Sequence, residues 1–298
     1  MREVRIPAYA KINLHLRILG RRTDGYHELR TLYQSLTLHD ELKLRLVSRP
    51  GISLVVHGNK ELAAEPVEGN LAYRAVEALQ KELAISDGVA MDLRKRIPAG
   101  GGLGGGSSDA AAALVGYLRL TKRKLPPPRL LEIAAGLGTD VPFFLLGGRA
   151  LGIGRGEELY PLADLPRSAV LIVAPRGIRV ATTDAYRWLE APPLTNSGAA
   201  SKLLNFCALS WSAPAVGLSN DFEGPVFRRF PRLAEIKRNL LQNGAAEALL
   251  AGSGSAVFGL FPSPAKARRA ARGFLSDLTF VCETLSRDRY FRAMKWNV

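Results

Sequence analysis

The chain has 298 residues, 47% of them hydrophobic and 23% charged, which is ordinary globular composition and excludes a disordered or fibrous chain. This length suits two medium domains or one large domain. Apolar runs such as residues 141–146 are far too short to span a membrane, and the first residues lack the apolar core of a signal peptide.

The net charge of +14 is the strongest compositional signal. A positive field attracts anions, which is compatible with a nucleotide-handling enzyme, an RNA-binding protein or simply a basic solvated surface. The basic residues are scattered, with no low-complexity arm and no nucleic-acid motif. Cys207 and Cys282 lack ligand or CxxC spacing, so we expect both to be buried apolar residues of a cytoplasmic protein.

The first strand is predicted by an alternation of period two between Val4 and Ile18, in which every even position is apolar. The odd positions include Lys11 and Asn13, which the alternation places together on a face turned away from the core. A turn with an Asp-Gly pair follows. The next predicted elements are two strands, a helix capped by Asn70 and another strand, at residues 36–46, 52–57, 71–83 and 89–97.

Residues 98–109 form a glycine-rich loop that precedes an alanine run, and alanine favours helix. Ser107 to Asp109 are helix-starting residues, so the order is strand, glycine loop, helix. Free N–H groups and the dipole at such a helix N-terminus bind anions, and the expected ligand is a chain of phosphates. The loop is neither a Walker sequence, since Ser107 follows Gly106, nor a Rossmann fingerprint, since residues 121–124 are basic.

The stretch after this helix predicts one helix at residues 128–137 and a short one at 141–146. Two short strands follow, the second ending at about residue 162. Asp140 opens the second of these helices, where its carboxylate could cap the helix as well as take part in chemistry. We place the domain boundary near Asp164, which divides the chain into residues 1–163 and 164–298.

The second half predicts an order of strand, helices, strand, strand, helix, strand, compatible with a split α+β sandwich of ferredoxin type. Its Ser263-Pro264 pair is a helix start with a cap followed by proline. The predicted strands lie at residues 169–174, 247–251, 255–261 and 280–285. The predicted helices lie at residues 182–190, 199–209, 231–243 and from 264 onward.

Phosphoryl transfer from a nucleotide needs donors around the phosphates, a cation near the transferred group and a carboxylate near the acceptor hydroxyl. The glycine loop supplies the donors, and Lys11 and Asp140 are candidates for the cation and the carboxylate. Taken alone, each has a simpler interpretation, a surface lysine and a helix cap. His15, His39 and His57 show no metal-ligand spacing.

Four segments of the chain resemble the GHMP kinases, the superfamily that includes galactokinase, homoserine kinase and mevalonate kinase. They are the glycine loop and residues 8–29, 137–144 and 252–258, in the order of the family, and residues 219–223 also fit. They are similar to the branch that acts on 4-diphosphocytidyl-2-C-methyl-D-erythritol. This chain departs from that branch in having Thr139 where alanine is common and Leu250-Ala251 where Met-Ser is common.

The resemblance implies an α+β fold of two domains with the active site in the cleft between them. The N-terminal domain would be an ATP-binding and catalytic α/β domain of ribosomal-protein-like type, and the C-terminal domain a ferredoxin-like sandwich. The loop residues that would hold ATP are Pro98, Ala99, Gly100, Gly101, Gly102, Leu103, Gly104, Gly105, Gly106, Ser107 and Ser108.

The resemblance also implies roles for individual side chains. Lys11 would polarise the acceptor hydroxyl and Asp140 would take its proton. The residues that would bind the acceptor, including its cytosine, are Asn13, Tyr26, His27 and Tyr186.

The implied activity is transfer of phosphate from ATP, accompanied by Mg²⁺, to the 2-hydroxyl of 4-diphosphocytidyl-2-C-methyl-D-erythritol in non-mevalonate isoprenoid synthesis. The expected partner is this small cytidine-diphosphate molecule, with no nucleic acid and no membrane, and no protein ligand to the metal is assigned. The oligomeric state stays open. Another small-molecule GHMP kinase, of homoserine or mevalonate type, and a basic RNA-binding protein remain as alternatives.

Overall fold

The computed structural model describes residues 3–189 and 218–296, which form two sheets and the helices that cover them. The strands are β1 (Glu3–Arg21), β2 (His27–Val47), β3 (Ile52–His57), β4 (Gly88–Arg94), β5 (Arg149–Ile153), β6 (Glu158–Pro161), β7 (Ala169–Ala174), β8 (Ser219–Asn220), β9 (Glu247–Leu250), β10 (Val257–Phe261) and β11 (Leu278–Glu283). The helices are α1 (Lys60–Ala64), α2 (Leu71–Leu83), α3 (Gly105–Thr121), α4 (Pro127–Leu137), α5 (Val141–Leu146), α6 (Thr182–Trp188), α7 (Glu223–Arg229), α8 (Pro231–Gln242), α9 (Pro264–Ala271) and α10 (Arg287–Met294).

The first sheet is organised around the long antiparallel pair β1 and β2, with the order β3-β4-β2-β1-β8. Because β2 has 21 residues, its two halves pair with different strands. Residues 41–47 pair with β4, and residues 31–34 pair with β5, which carries β6 at its outer edge. Both partners are antiparallel to β2, so one strand connects the glycine loop after β4 with the region that follows α5.

Helix α3 lies between this sheet and the other helices of the first half and is almost entirely buried. Its first half carries four alanines in succession, residues 110–113, all fully buried. A Cβ on Gly116 would lie 2.5 Å from Cδ1 of Leu44 on β2. The small residues therefore allow the helix to pack close to the sheet, which fixes its N-terminus at the end of the glycine loop.

The second sheet has four antiparallel strands in the order β11-β7-β10-β9. Numbered in chain order within this sheet alone, the order is 4-1-3-2, the arrangement of the ferredoxin-like sandwich. Its apolar outer face packs against α7, α8 and α9 in a second core that includes Leu233, Ile236 and Ala267. The prediction of an α+β sandwich for the second half is confirmed.

A third core joins the two sheets. Ala10 and Ile12 of β1 belong to it together with Ile172 of β7 and Phe258 of β10, and all four are fully buried. The second half also reaches into the first, because β8 pairs in parallel with β1 and Tyr290 of α10 lies in the core around α3. The division of the chain near Asp164 therefore stays a prediction, with contacts that cross it in both directions.

Most predicted elements are confirmed, some to the residue, as with β3, β7 and α2, whose cap Asn70 accepts a hydrogen bond from the N–H of Ala72 at 2.9 Å. The predicted start of α3 at Ser107 is wrong, since the helix begins at Gly105 after Gly104 in the left-handed region. The short helices α1, α7 and α10 were not predicted. The predicted helix at 199–209 and Cys207 lie outside the described residues, and Cys282 is buried.

The outward position predicted for Lys11 and Asn13 is also wrong, because both side chains are buried. The alternation places them correctly on one face of β1, opposite Ala10 and Ile12, but the segments around Gly104, Asp140 and Gly252 cover that face. Within the described residues no helix has the length and apolarity required to cross a membrane.

Candidate active site

The glycine loop turns sharply between β4 and α3. Gly100, Gly102 and Gly104 have φ angles of 70°, 77° and 72°, which residues other than glycine rarely adopt. The carbonyl oxygen of Leu103 accepts a hydrogen bond from the backbone N–H of Lys11 at 3.0 Å. The loop is thus hydrogen-bonded to β1 at Lys11, the candidate cation. The N-terminus of α3, which follows the loop directly, therefore lies beside Lys11 as well.

A second glycine loop, residues 251–254 between β9 and β10, braces the first from the other half of the molecule. A Cβ on Gly102 would overlap the carbonyl oxygen of Ala251, and one on Gly254 would overlap the backbone of Gly102. The N–H of Ser255 donates to the carbonyl of Gly100 at 3.1 Å. The resemblance at residues 252–258 therefore corresponds to a packing role, in which two backbones approach without intervening side chains.

Lys11 and Asp140 are brought together although they are 129 positions apart in the chain. The ammonium Nζ lies 3.3 Å from Oδ2 of Asp140 and donates to Oδ1 of Asn13 at 2.9 Å. Lys11 is 4% exposed, whereas the side chain of Asp140 is 30% exposed. The cation is therefore buried beside a carboxylate that a ligand in the cleft can still reach.

Asp140 stands at the first position before α5, but its side chain makes no capping hydrogen bond. The cap interpretation is therefore wrong for the carboxylate. Its Oδ1 instead accepts a hydrogen bond from the hydroxyl of Tyr33 at 2.9 Å. Burial, together with the neighbouring Asp140, raises the pKa of Tyr33 well above its ordinary value, so the phenol stays protonated and acts as a donor.

Tyr33 is a site residue that sequence reasoning missed. It lies on β2 directly opposite Asn13 of β1, and its ring stacks on Phe143 with centroids 4.7 Å apart. The one available signal was the pairing of the first two strands, which places residue 33 across from residue 13. The Lys11 ammonium lies 5.5 Å from the centre of the Tyr33 ring, so tyrosine, lysine and aspartate form one cluster.

Asn13 is held by its own chain of hydrogen bonds. Its Nδ2 donates to the Thr31 hydroxyl at 2.7 Å, and that hydroxyl donates to the carbonyl of His15 at 2.8 Å. The amide oxygen is thereby turned toward Lys11. A Cβ on Gly252 would lie 3.2 Å from that oxygen, so the second glycine loop closes the cluster from above.

Tyr26, His27 and Tyr186 line one cavity of about 600 Å³, together with Thr139 and three arginines, Arg21, Arg155 and Arg187. The rings of His27 and Tyr186 contact each other, with centroids 4.9 Å apart and planes tilted by 32°. No further ring therefore fits between these two, and the aromatic surfaces that this cavity offers to a ligand are their outer faces and Tyr26. Tyr26 is 53% exposed and has the Arg155 guanidinium 4.8 Å from its ring centre.

Burial, with a smaller effect of Arg21, lowers the pKa of His27. The imidazole is therefore neutral at physiological pH and carries one hydrogen-bond donor and one acceptor. A neutral ring of this kind suits the polar edge of an uncharged base.

A second cavity, of about 450 Å³, begins at the first residues of the glycine loop, Pro98 and Ala99. Its wall includes Asn59, whose amide oxygen caps α1, and the loop that follows β7. Arg176 and Arg179 of that loop line the cavity, and sequence reasoning missed both. No pattern marked them, because their position depends on how the second sheet packs against the first.

A buried ionic cluster lies behind the glycine loop. The Lys95 ammonium donates to Asp109 at 2.5 Å and to Asp40, and the second oxygen of Asp40 accepts the N–H of Ile97 at 2.8 Å. The other oxygen of Asp109 is buried without a partner in the described part of the chain. The cluster ties the end of β4 and the first turns of α3 to β2, which stabilises the loop from below.

Comparison with known proteins finds two matching family models and relatives that cover nearly the whole chain. The family models described as GHMP kinases N terminal domain and GHMP kinases C terminal match residues 70–148 and 200–277. A protein of Solibacter usitatus named 4-diphosphocytidyl-2-C-methyl-D-erythritol kinase is 43% identical over 97% of this chain and 91% of its own length.

Two solved structures share the architecture. A crystal structure of 4-(cytidine 5'-diphospho)-2C-methyl-D-erythritol kinase, 38% identical, matches 94% of this chain and 99% of its own with a TM-score of 0.76. Homoserine kinase from Cytophaga hutchinsonii, 21% identical, matches 96% and 95% with a TM-score of 0.72, a likeness that concerns the fold alone. Both halves of the sequence and the arrangement of the two sheets lead to the same conclusion: the chain belongs to the GHMP kinases.

Proposed function

We propose that this protein transfers the terminal phosphoryl group of ATP to the 2-hydroxyl of 4-diphosphocytidyl-2-C-methyl-D-erythritol. The observation that carries the proposal is the pair formed by Lys11 and Asp140, 3.3 Å apart, where the glycine loop meets β1. Relatives about 40% identical over nearly the whole chain bear the name of this kinase, which supports the same substrate.

The reaction assigns one task to each part of the cleft. Asp140 accepts the proton of the acceptor hydroxyl, whose oxygen forms the new bond to phosphorus as the bond to ADP breaks. Lys11 lies beside the reacting oxygens and offsets the negative charge that spreads over them. A donor of this kind in a water-poor site lowers the barrier by about 3 kcal/mol. Asn13 keeps the ammonium in place through its amide oxygen.

The glycine loop and the N-terminus of α3 would hold the phosphates of ATP through backbone N–H groups. We assign Pro98 to Ser108 to this contact and the cavity beside Pro98 to the rest of the nucleotide. The cytosine of the acceptor would occupy the other cavity, stacked on Tyr26 and read by the neutral imidazole of His27. The ring of Tyr186 packs against that of His27, so we assign Tyr186 to holding the imidazole in place.

Mg²⁺ belongs to the proposal as a companion of ATP. Among the described residues no group of three or more metal-ligating side chains occurs. Mg²⁺ fits such a cleft, because it keeps several waters and is held largely by phosphate oxygens. It would neutralise phosphate charge during the transfer, and we assign no side chain as its ligand.

A coupled assay of ADP release tests the reaction. Purified protein with ATP and Mg²⁺ should release ADP only when the cytidylated acceptor is added, and phosphorus NMR should show a new phosphate monoester on the acceptor. Homoserine and mevalonate serve as control acceptors and should give no signal above background. ADP release that ignores the cytidylated acceptor would count against the proposal.

Replacing Tyr26 separates the cytidylated acceptor from the acceptors of related kinases. Tyr26→Ala removes a stacking surface, and base–aromatic stacking contributes about 1–3 kcal/mol. We expect the KM for the acceptor to rise roughly tenfold or more while the KM for ATP stays constant. Equal effects on both constants would favour a substrate without a base, as in the kinases of homoserine or mevalonate.

A further inference from the structure

The cavity beside Pro98 is lined by cationic side chains and by no carboxylate within the described part of the chain. Its cations are Lys95, Arg96, Arg176 and Arg179. The Lys95 ammonium is already neutralised by Asp40 and donates a further hydrogen bond to Asp109. The arginines therefore dominate the charge of the cavity wall and favour an anionic ligand.

Arg179 differs from the other arginines of this wall in its contact with the glycine loop. A Cβ on Gly100 would lie 3.8 Å from Cγ of Arg179, so the stem of the arginine passes over the first turn of the loop. Its guanidinium forms an ion pair with Glu61 of α1, next to the cavity-lining Asn59. One side chain from the second half thus connects the glycine loop with a helix of the first half.

We propose that Arg179 binds a phosphate of the nucleotide, and that Glu61 is its counter-ion only until the nucleotide enters. This inference rests on the proposed function, which brings a triphosphate to the loop. Both partners of the ion pair are mostly exposed, 60% for Arg179 and 63% for Glu61, and exposed pairs contribute little stability. The phosphates of a nucleotide are the stronger partner, because together they carry several negative charges where Glu61 carries one, and they accept the same two parallel hydrogen bonds from a guanidinium.

Calorimetric titration without the acceptor tests the contact. Arg179→Gln should weaken binding of ATP roughly tenfold or more, since hydrogen bonds to charged groups contribute about 1.5–3 kcal/mol. Binding of adenosine, which has no phosphate, should not change. Arg179→Lys should give an intermediate affinity, because lysine keeps the charge but loses the paired geometry. Arg167→Gln is the matched control, an exposed arginine paired with Glu283 and away from the cavity wall.

Glu61→Gln tests the exchange of partners. Removing the competing carboxylate should tighten ATP binding about two- to fivefold, in line with the strength of an exposed ion pair. Unchanged ATP affinity in this variant would overturn the role of Glu61 as a displaceable counter-ion.

Either of two results with Arg179→Gln would overturn the phosphate contact. One is an unchanged affinity for ATP, and the other is an equal loss of affinity for ATP and for adenosine. Failure of the proposed function looks different, because wild-type protein would then bind ATP with this dependence on Arg179 and still not phosphorylate the cytidylated acceptor.

Discussion

Tyr33 adds a third group to the pair formed by Lys11 and Asp140. Tyr33→Phe removes the hydrogen bond to Asp140 and keeps the ring that stacks on Phe143. Hydrogen bonds to charged groups contribute about 1.5–3 kcal/mol, so a carboxylate without this donor is less firmly oriented. We expect kcat to fall roughly tenfold with little change in either KM, as measured by steady-state kinetics.

The control for this substitution is Tyr160→Phe, which removes the hydroxyl of an exposed tyrosine bonded to Glu158. Its kcat should equal that of the wild type. A Tyr33→Phe protein with normal kcat, or one whose loss of activity follows a loss of thermal stability, would contradict a role for Tyr33 in orienting Asp140.

Asp109 makes stability depend on pH. Burial, opposed by Lys95 and reinforced by Asp40, raises its pKa to about 8. The folded protein therefore holds a proton that the unfolded chain, with an ordinary carboxyl pKa near 4, has already released. Since the native state binds more protons in this interval, the free energy of unfolding should fall as pH rises from about 4 to about 8 and then level off.

Asp109→Asn should flatten this part of the curve, because an amide cannot titrate. Urea unfolding from pH 5 to 9, followed by circular dichroism, measures the two slopes. Parallel curves for the two proteins would show that another group is responsible.

At this scale the sequence points to the reacting side chains better than to their surroundings. Lys11 and Asp140 lie in segments that resemble a kinase family, so both could be named in advance. The burial of Lys11 could not, because the alternation along β1 does not show that segments distant in the chain, around Gly104 and Asp140, fold over this face. Tyr33 belongs to no motif, and its role follows only from its position opposite Asn13.

The two glycine loops are the elements that depend most on each other. Gly102→Ala places a methyl group against the carbonyl of Ala251 and demands a φ of 77°, so both the contact and the backbone are strained. Strain of this kind in the backbone alone is about 1–3 kcal/mol. We expect a lower melting temperature and a loss of ATP binding, measured by calorimetry.

Gly136→Ala is the matched control. It also replaces a glycine by alanine, but inside α4, at a position where a Cβ meets nothing within 4 Å. There the substitution should stabilise by about 0.5–1 kcal/mol, because alanine is the better helix former. Equal melting temperatures for the two variants would mean that the contact between the glycine loops carries no strain.

Among the elements, the sequence predicts well those whose ends carry their own signals. Asn70 caps α2 through its side chain, and Ser263 does the same for α9. Helix α3 instead begins after Gly104, whose φ of 72° no side-chain signal indicates, and the serines three and four positions later lie inside its first turn. A short helix such as α1 lacks buried residues altogether, so no apolar periodicity could have shown it.

At the scale of the molecule, the shared core between the sheets predicts that the two halves unfold together. Phe258→Ala leaves a cavity at a fully buried position of that core, which should lower stability by about 3–5 kcal/mol. We expect one transition at a lower temperature by scanning calorimetry. Leu275→Ala, at a residue 93% exposed, should leave the transition unchanged. Two separate transitions in the Phe258 variant would mean that the halves are independent.

The core shared by the two sheets is the part of the fold that the sequence predicts least well. A boundary near Asp164 follows from the order of elements, and both halves can be described as separate layers. The pairing of β8 with β1 involves only His15, Leu16 and two residues of the second half, too short a run to leave a pattern.

The docking of α10 has a consequence for synthesis on the ribosome. Tyr290 and Met294 are packed into the core around α3, and the Tyr290 hydroxyl donates to the carbonyl of Phe144 at 2.6 Å. These residues are translated after every other described element. A nascent chain stopped before residue 287 thus exposes apolar surface of its first core, and such surface is a target for chaperones and aggregation.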